Sequence, residues 1–154
     1  MSNVKTKEIL NQAVADLSQF AVVIHQAHWY MRGQNFLTLH PKMDEYMDGI
    51  NDQLDVIAER LITIGGSPYS TLTEFAEHTK IKDTPGTYDK TMKEHLEVLI
   101  SGYQYLRQLS AEAITITEEE GDHVTQDIFI GMKGETEKTL WMLFAELGQA
   151  PNLG

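Results

Sequence analysis

The 154-residue sequence has no cysteine and no hydrophobic run that approaches the length of a membrane span. The lack of cysteine excludes disulfides, thiolate catalysis and cysteine-ligated zinc. A membrane-spanning helix needs about 20 consecutive apolar residues, so we expect no membrane partner. The opening stretch MSNVKTKEIL also lacks the apolar segment and small-residue cleavage site of a secretory signal. These absences together predict a cytoplasmic protein.

Basic residues are scarce as well. The chain has 12 lysines and arginines against 23 aspartates and glutamates, which gives a net charge of -11. Nucleic-acid binding depends on counterion release by clusters of lysine and arginine, and the sequence has no such cluster. The N-terminus offers only Lys5 and Lys7, and the C-terminal GQAPNLG has no basic residue. Direct DNA binding is therefore not expected, whereas an acidic chain suits cations or simply solubility.

Apolar residues recur every three to four positions in four long segments, which predicts an all-α protein. Gly33 ends the first segment. Thr38 is a candidate cap for the second, Pro41 falls in its first turn, and GGSP at residues 65–68 stops it. The β-branched alternation in AITITE, residues 113–118, is interpreted as the end of a helix. The helices are expected at about residues 3 or 6 to 31, 38–64, 87–116 and 122–148.

A connection of about twenty residues separates the second helix from the third, which is long for a compact domain. We expect one short helix within it, in TLTEFAEH at residues 71–78. Two helical hairpins joined by one long crossover between helices 2 and 3 describe the ferritin-like four-helix bundle. At this length the chain is expected to form a single domain, residues 1–154, with a buried core.

Four potential metal ligands share one face of the second predicted helix. His40, Asp44, Asp55 and Glu59 have separations of 4, 11 and 4, so they lie at about 0°, 40°, 60° and 100° around the helix axis. Imidazole and carboxylate together suit iron, manganese or zinc. The two aspartates lie about 16 Å apart along the axis. One ion with bonds near ~2 Å therefore cannot contact both pairs within one chain.

The spacing has a twofold symmetry that resolves this difficulty. If two copies of the helix pack antiparallel about an axis near Gly49 and Ile50, each histidine–aspartate pair faces the aspartate–glutamate pair of the other copy. Twofold dimers are the commonest oligomers, and their interfaces are self-complementary in this way. The pattern predicts two metal sites per dimer, each shared between chains. His28, near the end of the first helix, is a candidate for the remaining nitrogen ligand.

These residues lie in HWYMRGQNFLTLHPKMDEYMDGINDQLDVIAERLITIGGSP, residues 28–68, which resembles the Dps family of miniferritins. The resemblance rests on three motifs in order: H-W, then H-x-x-x-D, then D-x-x-x-E-R. The two histidines are twelve residues apart, and the two aspartates are eleven residues apart. The helix layout extends the resemblance over nearly the whole chain. It implies a hollow homododecamer of tetrahedral symmetry with ferroxidase sites at its twofold interfaces. It also implies iron as the metal, as Fe²⁺ and Fe³⁺, with as many as two ions per inter-subunit site. The implied ligands are His28, His40, Asp44, Asp55 and Glu59.

The resemblance implies a ferroxidase that oxidises Fe²⁺ with hydrogen peroxide or, more slowly, dioxygen. The ferric product is then stored as mineral inside the shell, which protects the cell from oxidative stress. Two roles stay open for Trp29, beside a predicted ligand: quenching stray oxidising equivalents, and packing of the bundle. His25, one turn before His28, is expected to support the site without being a ligand.

Family members have acid-lined threefold pores near the start of the fourth helix. The corresponding stretch here is EEEGDHVTQD, which offers Glu118, Asp122, His123 and Asp127. A histidine where an acid often stands departs from the family pattern, and acids at a helix N-terminus are also favourable without any pore. A second acidic group borders the predicted ligands and is either a mineral nucleation surface or plainly solvated: Glu45, Asp48 and Asp52.

The sequence bears on three other functions. A di-iron site inside one bundle needs two Glu-x-x-His pairs on different helices, and the only match, at residues 120–123, straddles a glycine. That reading is rejected. A DNA-compacting Dps protein with nucleoid binding as its main role is the chief alternative, although the charge opposes it. The third is a bundle that serves only protein interaction.

Overall fold

The computed structural model describes residues 3–153, which form five helices and no strand. Four long helices and the short crossover helix appear in the expected order. Within these residues no helix is both long and apolar enough to cross a membrane. The helices are α1 (Val4–Tyr30), α2 (Phe36–Thr63), α3 (Leu72–His78), α4 (Met92–Glu119) and α5 (His123–Glu146).

Two helical hairpins, α1 with α2 and α4 with α5, pack against each other through α1 and α4. Phe20 and Tyr103 meet edge to face at the centre of this contact, with ring centroids 4.8 Å apart. Gly102 permits the approach, because a Cβ at this position would stand 2.2 Å from the Phe20 ring. Burying each such large side chain contributes about 1.5–3 kcal/mol, so this contact holds the two hairpins together.

The predicted start of α2 was wrong by two residues. The helix begins at Phe36, and Thr38 lies inside it. Asn35 adopts the left-handed conformation with φ of 69°, and its carbonyl accepts the first intrahelical bonds. Pro41 consequently lies in the second turn instead of the first, where its ring nitrogen has no proton to give to the Leu37 carbonyl. Leu37 itself is 85% exposed.

The predicted start of α4 was wrong by about five residues. Thr91 caps the helix: its hydroxyl accepts from the Glu94 N–H, while the Glu94 carboxylate accepts from the Thr91 N–H. This reciprocal pair satisfies two donors that a helix start would otherwise leave unpaired. Thr71 and Glu74 form the same pair at the start of α3. Residues 113–118 are helical throughout, as predicted.

The crossover is fastened to α1 through a carboxylate inside the protein. Asp16 is fully buried and accepts from the Thr79 hydroxyl and the Lys80 N–H, both at 2.8 Å. The Tyr105 hydroxyl on α4 donates to the other carboxylate oxygen. Burial, followed by the hydrogen bond to Asp16, raises the pKa of Tyr105. One charged side chain therefore joins α1, the crossover and α4.

The start of α1 receives its cap from the turn between α4 and α5. Asn3 makes no side-chain cap bond, and the Glu120 carboxylate instead accepts from the N–H groups of Lys5 and Thr6, at 3.2 and 2.7 Å. The side chain of Thr6 and then the N–H groups of Thr6 and Lys5 lower the pKa of Glu120. The α4–α5 turn is thereby attached to the first turn of α1.

Candidate metal centre

Two of the predicted ligands lock each other in place where α1 passes into α2. The Nδ1 of His28 lies 2.8 Å from the His40 carbonyl, and the Nδ1 of His40 lies 2.9 Å from the His28 carbonyl. The rings stack in parallel, with centroids 3.8 Å apart and an interplanar angle of 8°. The Phe36 ring stacks on the His40 ring, with centroids 5.0 Å apart. The twelve-residue spacing thus joins two helices through a reciprocal contact.

This contact sets which nitrogen of each ring donates. A carbonyl can only accept, so each Nδ1 carries a proton, and Nε2 is the nitrogen that a neutral ring offers to a metal. An imidazole that donates through one nitrogen and offers the other is the arrangement seen for histidine bound to metals. The donor chemistry of the pair therefore fits a divalent cation.

The Asp44 carboxylate lies beside the His28 ring. Its Oδ1 lies 3.6 Å from the Nε2 of His28, and its side chain is 63% exposed while that of His28 is 12% exposed. Two ligands bound at about 2.1 Å to one ion, with a tetrahedral angle between them, stand about 3.4 Å apart. The separation is therefore close to that of two ligands on a common ion.

The other two predicted ligands are not brought to this group. Asp55 and Glu59 lie exposed on α2, about 16 and 22 Å beyond Asp44 along its axis. Within residues 3–153, no three histidine or acidic side chains converge in a way that could hold a metal ion. A single chain thus presents only part of the predicted site, which is the stacked pair His28 and His40 with Asp44 beside His28. We call these three residues the half-site. The remaining carboxylates point to solvent one helical turn apart, as an inter-chain site requires.

Arg60, directly after Glu59, fixes this part of α2 to the start of α5. Its guanidinium donates to the Thr125 hydroxyl at 2.9 Å and to the Asp122 carboxylate at 3.1 Å. Asp122 also caps α5 by accepting from the Thr125 N–H. Burial alone would raise the pKa of Asp122, but the hydrogen bonds from Thr125 and the charge of Arg60 outweigh it and lower that pKa.

Changing Asp122 to asparagine is expected to lower the unfolding free energy by about 1–3 kcal/mol at neutral pH, because a charge-assisted bond is lost. A carboxyl whose pKa is lower in the folded protein adds stability above its ordinary pKa, and this is lost as the pH falls through the folded value. The difference between wild type and variant should therefore be constant near neutral pH and shrink below about pH 3.8. Thermal unfolding followed by circular dichroism across this range measures it. A constant difference down to the most acidic samples would contradict the expectation.

The four predicted pore residues differ in their surroundings. Glu118 accepts from Gln126 at 2.8 Å and lies 3.8 Å from the His123 Nε2. Both side chains are exposed, as is Asp127. Asp122 instead is 8% exposed, with its carboxylate committed to Arg60 and Thr125. The pore prediction therefore rests on Glu118, His123 and Asp127, whereas Asp122 serves α5 as a cap.

The three predicted nucleation residues are all exposed on α2. Glu45 is paired with Lys42 at 2.7 Å. Asp52 lines a groove of about 400 Å³ between α2 and α5, which Asp127 and Glu135 also border. The groove thus puts acidic side chains from two helices on one surface, and a mineral role for that surface stays a prediction.

The aromatic neighbour of the half-site faces outward. Trp29 is 65% exposed and stacks on His25, with centroids 4.3 Å apart. Since so much of the ring is exposed within the chain, Trp29 does not serve the packing of its own bundle. His25 contacts the indole, and its ring centroid lies 6.4 Å from that of His28.

Known proteins resemble this chain over nearly its whole length. The Ferritin family model, described as a ferritin-like domain, matches residues 7–153. The DNA protection during starvation protein of Streptococcus suis (strain P1/7) is 51% identical over 148 residues, which cover 96% of this chain and 86% of that protein. The protein of the same name from Listeria monocytogenes is 48% identical over 151 residues, which cover 98% and 97%. The structure of Dps from Listeria innocua soaked with cobalt has a TM-score of 0.93 at 49% identity, with 95% and 94% covered.

The bundle, its long crossover and the family match define a ferritin-like protein. Within that class, the chain belongs to the Dps family, that of the DNA protection during starvation proteins. The fold class and the family resemblance predicted from the sequence are thereby confirmed. The chain is a miniferritin, and the general role of its family is the oxidation and storage of iron.

The contacts of Arg60 were not predicted from the sequence. It closes the D-x-x-x-E-R motif and therefore stood in the sequence beside a predicted ligand. Its partners are more than sixty positions away, so only the packing of α2 against α5 reveals them. The one sequence signal was local: an aspartate three residues before a threonine at a helix start, which indicates a cap.

Proposed function

We propose that this protein oxidises Fe²⁺ at sites shared between two chains and stores the ferric product inside a homododecamer. The reciprocal contact of His28 and His40 carries the proposal, because it occupies the Nδ1 of both rings and leaves each Nε2 available to a metal, that of His28 beside the Asp44 carboxylate. The half-site is incomplete within one chain. The symmetric spacing on α2 supplies its complement, Asp55 and Glu59, from a partner copy.

Iron is the substrate, and hydrogen peroxide is the preferred oxidant. Two Fe²⁺ ions give up the two electrons that one peroxide accepts, its O–O bond breaks, and two protons complete two waters. Pairing the electrons in this way avoids the hydroxyl radicals that a single-electron transfer releases. Dioxygen is the slower oxidant. Carboxylate oxygens are hard donors, so the three carboxylates favour Fe³⁺ and contribute to the driving force for oxidation.

The predicted site residues have distinct tasks in this proposal. The two histidines bind Fe²⁺ through Nε2, and their backbone contacts hold the rings still while iron changes its charge. Few protein ligands leave positions on the metal open to the oxidant. Trp29, exposed beside the half-site, is suited to accept stray oxidising equivalents. The exposed acids of α2 are suited to nucleate mineral, and Glu118, His123 and Asp127 to line a pore.

A main role in DNA compaction has less support. The charge of -11 per chain repels phosphate, and basic residues are needed for the counterion release that drives binding. The relatives' name refers to DNA protection, which removal of iron and peroxide also achieves without DNA contact. We propose that the protein works in the cytoplasm, as expected from the lack of cysteine.

Anaerobic loading with Fe²⁺ followed by a peroxide pulse tests the proposal. We expect a rise in ferric absorbance that saturates at no more than two Fe²⁺ per chain before mineral forms. One peroxide should be consumed for every two Fe²⁺, and a spin trap should detect few hydroxyl radicals. A ratio near one peroxide per Fe²⁺ with abundant trapped radical would contradict a paired-electron reaction.

A further inference from the structure

Two large apolar side chains on α2 are exposed to solvent within the single chain, one near each end of the helix. Leu37 is 85% exposed and Ile62 is 61% exposed. One exposed apolar residue on a protein surface needs no explanation, but these two lie on the face that carries the predicted ligands. With His40 at 0°, Leu37 falls at about 60° around the helix axis and Ile62 at about 40°. Both are therefore inside the sector of about 100° that the ligands occupy.

The two residues also follow the twofold relation of the ligands. Leu37 lies three residues before His40, and Ile62 lies three residues after Glu59. An axis that brings His40 of one copy to Glu59 of the other therefore also brings Leu37 to Ile62. Within one chain the two residues are about 37 Å apart along the helix. They can pair only between two copies.

The helix itself is centred on the same axis. Its bounds are Phe36–Thr63, so its midpoint lies between Gly49 and Ile50. Two antiparallel copies about this point overlap along their whole length of about 42 Å. Each end of one helix therefore meets the opposite end of the other, and no turn is left without a counterpart.

Val56 shows that this match is selective. Among the described residues of α2 it is the third large apolar side chain that is exposed, at 49%. It lies at about 160° around the axis, outside the sector of the ligands. The twofold relation would bring it to Met43, which is fully buried in its own chain. Val56 instead lines the groove between α2 and α5, so exposure alone does not produce the pairing.

We propose that Leu37 packs against Ile62 of a second copy of the chain, so that one apolar pair closes the outer end of each shared iron site. The inference rests on the proposed function, because the pair belongs to the same interface as the ligands. Leu37 is one turn further from the axis than His40, and Ile62 is one turn further than Glu59. Side chains three residues apart on a helix are neighbours, with about 5–6 Å between their Cβ atoms. The pair therefore stands between the ligands and the solvent beyond them.

An apolar cover at this place has two effects. Fewer water molecules beside the ligands lower the local dielectric constant, which strengthens the attraction between the carboxylates and Fe²⁺. The contact also removes two large apolar side chains from water, which favours association of the chains. Twofold symmetry gives each dimer two such pairs, one beside each site. Loss of either residue therefore weakens the dimer and speeds the release of metal.

The absence of cysteine from the sequence permits a direct test. In the double variant Leu37→Cys with Ile62→Cys every disulfide is engineered, and it forms only if the two Cα atoms approach within about 7 Å. After oxidation of the assembled protein with diamide, denaturing gels without reductant should show covalent dimers and no larger species, because twofold contacts close on themselves. Each single variant should run as a monomer, since equal positions lie about 37 Å apart along the paired helices.

Leu37→Cys combined with Val56→Cys is the matched control and should also run as a monomer. Leu37, Ile62 and Val56 are all exposed in the single chain. The substitutions should therefore leave the fold of each chain intact, which circular dichroism checks before oxidation.

Two polar variants, Leu37→Asn and Ile62→Asn, measure what the pair contributes. In each we expect the protein concentration at which half of the assembly dissociates to rise at least about tenfold, because each chain loses one buried apolar contact. Size-exclusion chromatography over a dilution series measures this concentration. Release of bound Co²⁺ to a chelator, followed by visible absorption, should also become faster. Leu37→Met keeps an apolar side chain of similar volume, and it should behave like wild type, as should Val56→Asn.

The proposal is overturned if the double-cysteine protein gives no covalent dimer, or if it gives a ladder of larger species. Unchanged dissociation in both asparagine variants would overturn it as well. None of these measurements requires iron oxidation. If wild-type protein fails to oxidise Fe²⁺, the proposed function fails, while the crosslink still decides the pairing. If oxidation proceeds as expected and no crosslink forms, the proposed function stands and the pairing of Leu37 with Ile62 is wrong.

Discussion

Two inactive variants, His40→Leu and Glu59→Gln, are expected to recover about one quarter of wild-type ferroxidase activity when they are coexpressed in equal amounts. Each variant alone should lose at least about 100-fold, since even groups that only orient metal ligands cost 10–100-fold when removed. The recovery follows from the shared site. In a mixed dimer, one site carries both changes and the other carries neither.

Random pairing makes half of the dimers mixed, and half of their sites are intact, which gives the one quarter. Initial rates of peroxide-driven Fe²⁺ oxidation measure it, after size-exclusion chromatography has shown that all samples have the same assembly. Mixing the two purified homo-oligomers without exchange is the control and should give no recovery. If coexpression also gives none, the histidines and acids do not meet across chains, and the shared-site proposal fails.

Changing Asp16 to alanine is expected to cost about 3–5 kcal/mol of unfolding free energy, because three donors lose their acceptor and each buried donor left unsatisfied costs about 1–3 kcal/mol. The variant leaves the Lys80 N–H and the hydroxyls of Thr79 and Tyr105 without their acceptor. For a chain of this size the loss corresponds to a fall of roughly 10 °C in Tm. Differential scanning calorimetry of the assembled protein at one fixed concentration measures it.

Two further variants separate the network from general loss of packing. Asp16→Asn keeps the size and one acceptor oxygen and should lose less than the alanine variant. Ser110→Ala removes a fully buried hydroxyl that donates to the Leu106 carbonyl, which is worth about 1 kcal/mol. A Tm for the Asp16→Ala protein equal to that of Ser110→Ala would show that the network contributes nothing special. Limited proteolysis should also cut the Asp16→Ala protein first in the crossover, since its attachment is lost.

The helices were largely predictable because their signals are local. Apolar spacing placed α1 and α5 to within a few residues, and the turn before α5 was recognised from its residue types. The start of α4 was missed although Thr91-x-x-Glu94 was visible as a capping pair. The start of α2 was missed because Asn35 adopts a left-handed conformation, which its sequence permits but does not require.

The candidate site was predictable in composition but not in geometry. Residue types and the symmetry of the spacing on α2 named five ligands, and these stay a prediction until iron binding is measured. The tertiary structure brings His28, His40 and Asp44 together, and the reciprocal bonds between ring and backbone were not foreseen. Such bonds depend on how far two helices are shifted and rotated relative to each other. The spacing of apolar residues within one helix does not determine this.

By itself the sequence determined the helix content, the crossover and the chemical character of the site, because each depends on neighbours within a few turns. Only the tertiary structure decided that Asp122 is a buried cap and that Asp16 joins three elements. The physical reason is that a buried polar group must find a partner wherever packing brings one. Those partners lie far away in the chain, and their identity emerges only once the helices have docked.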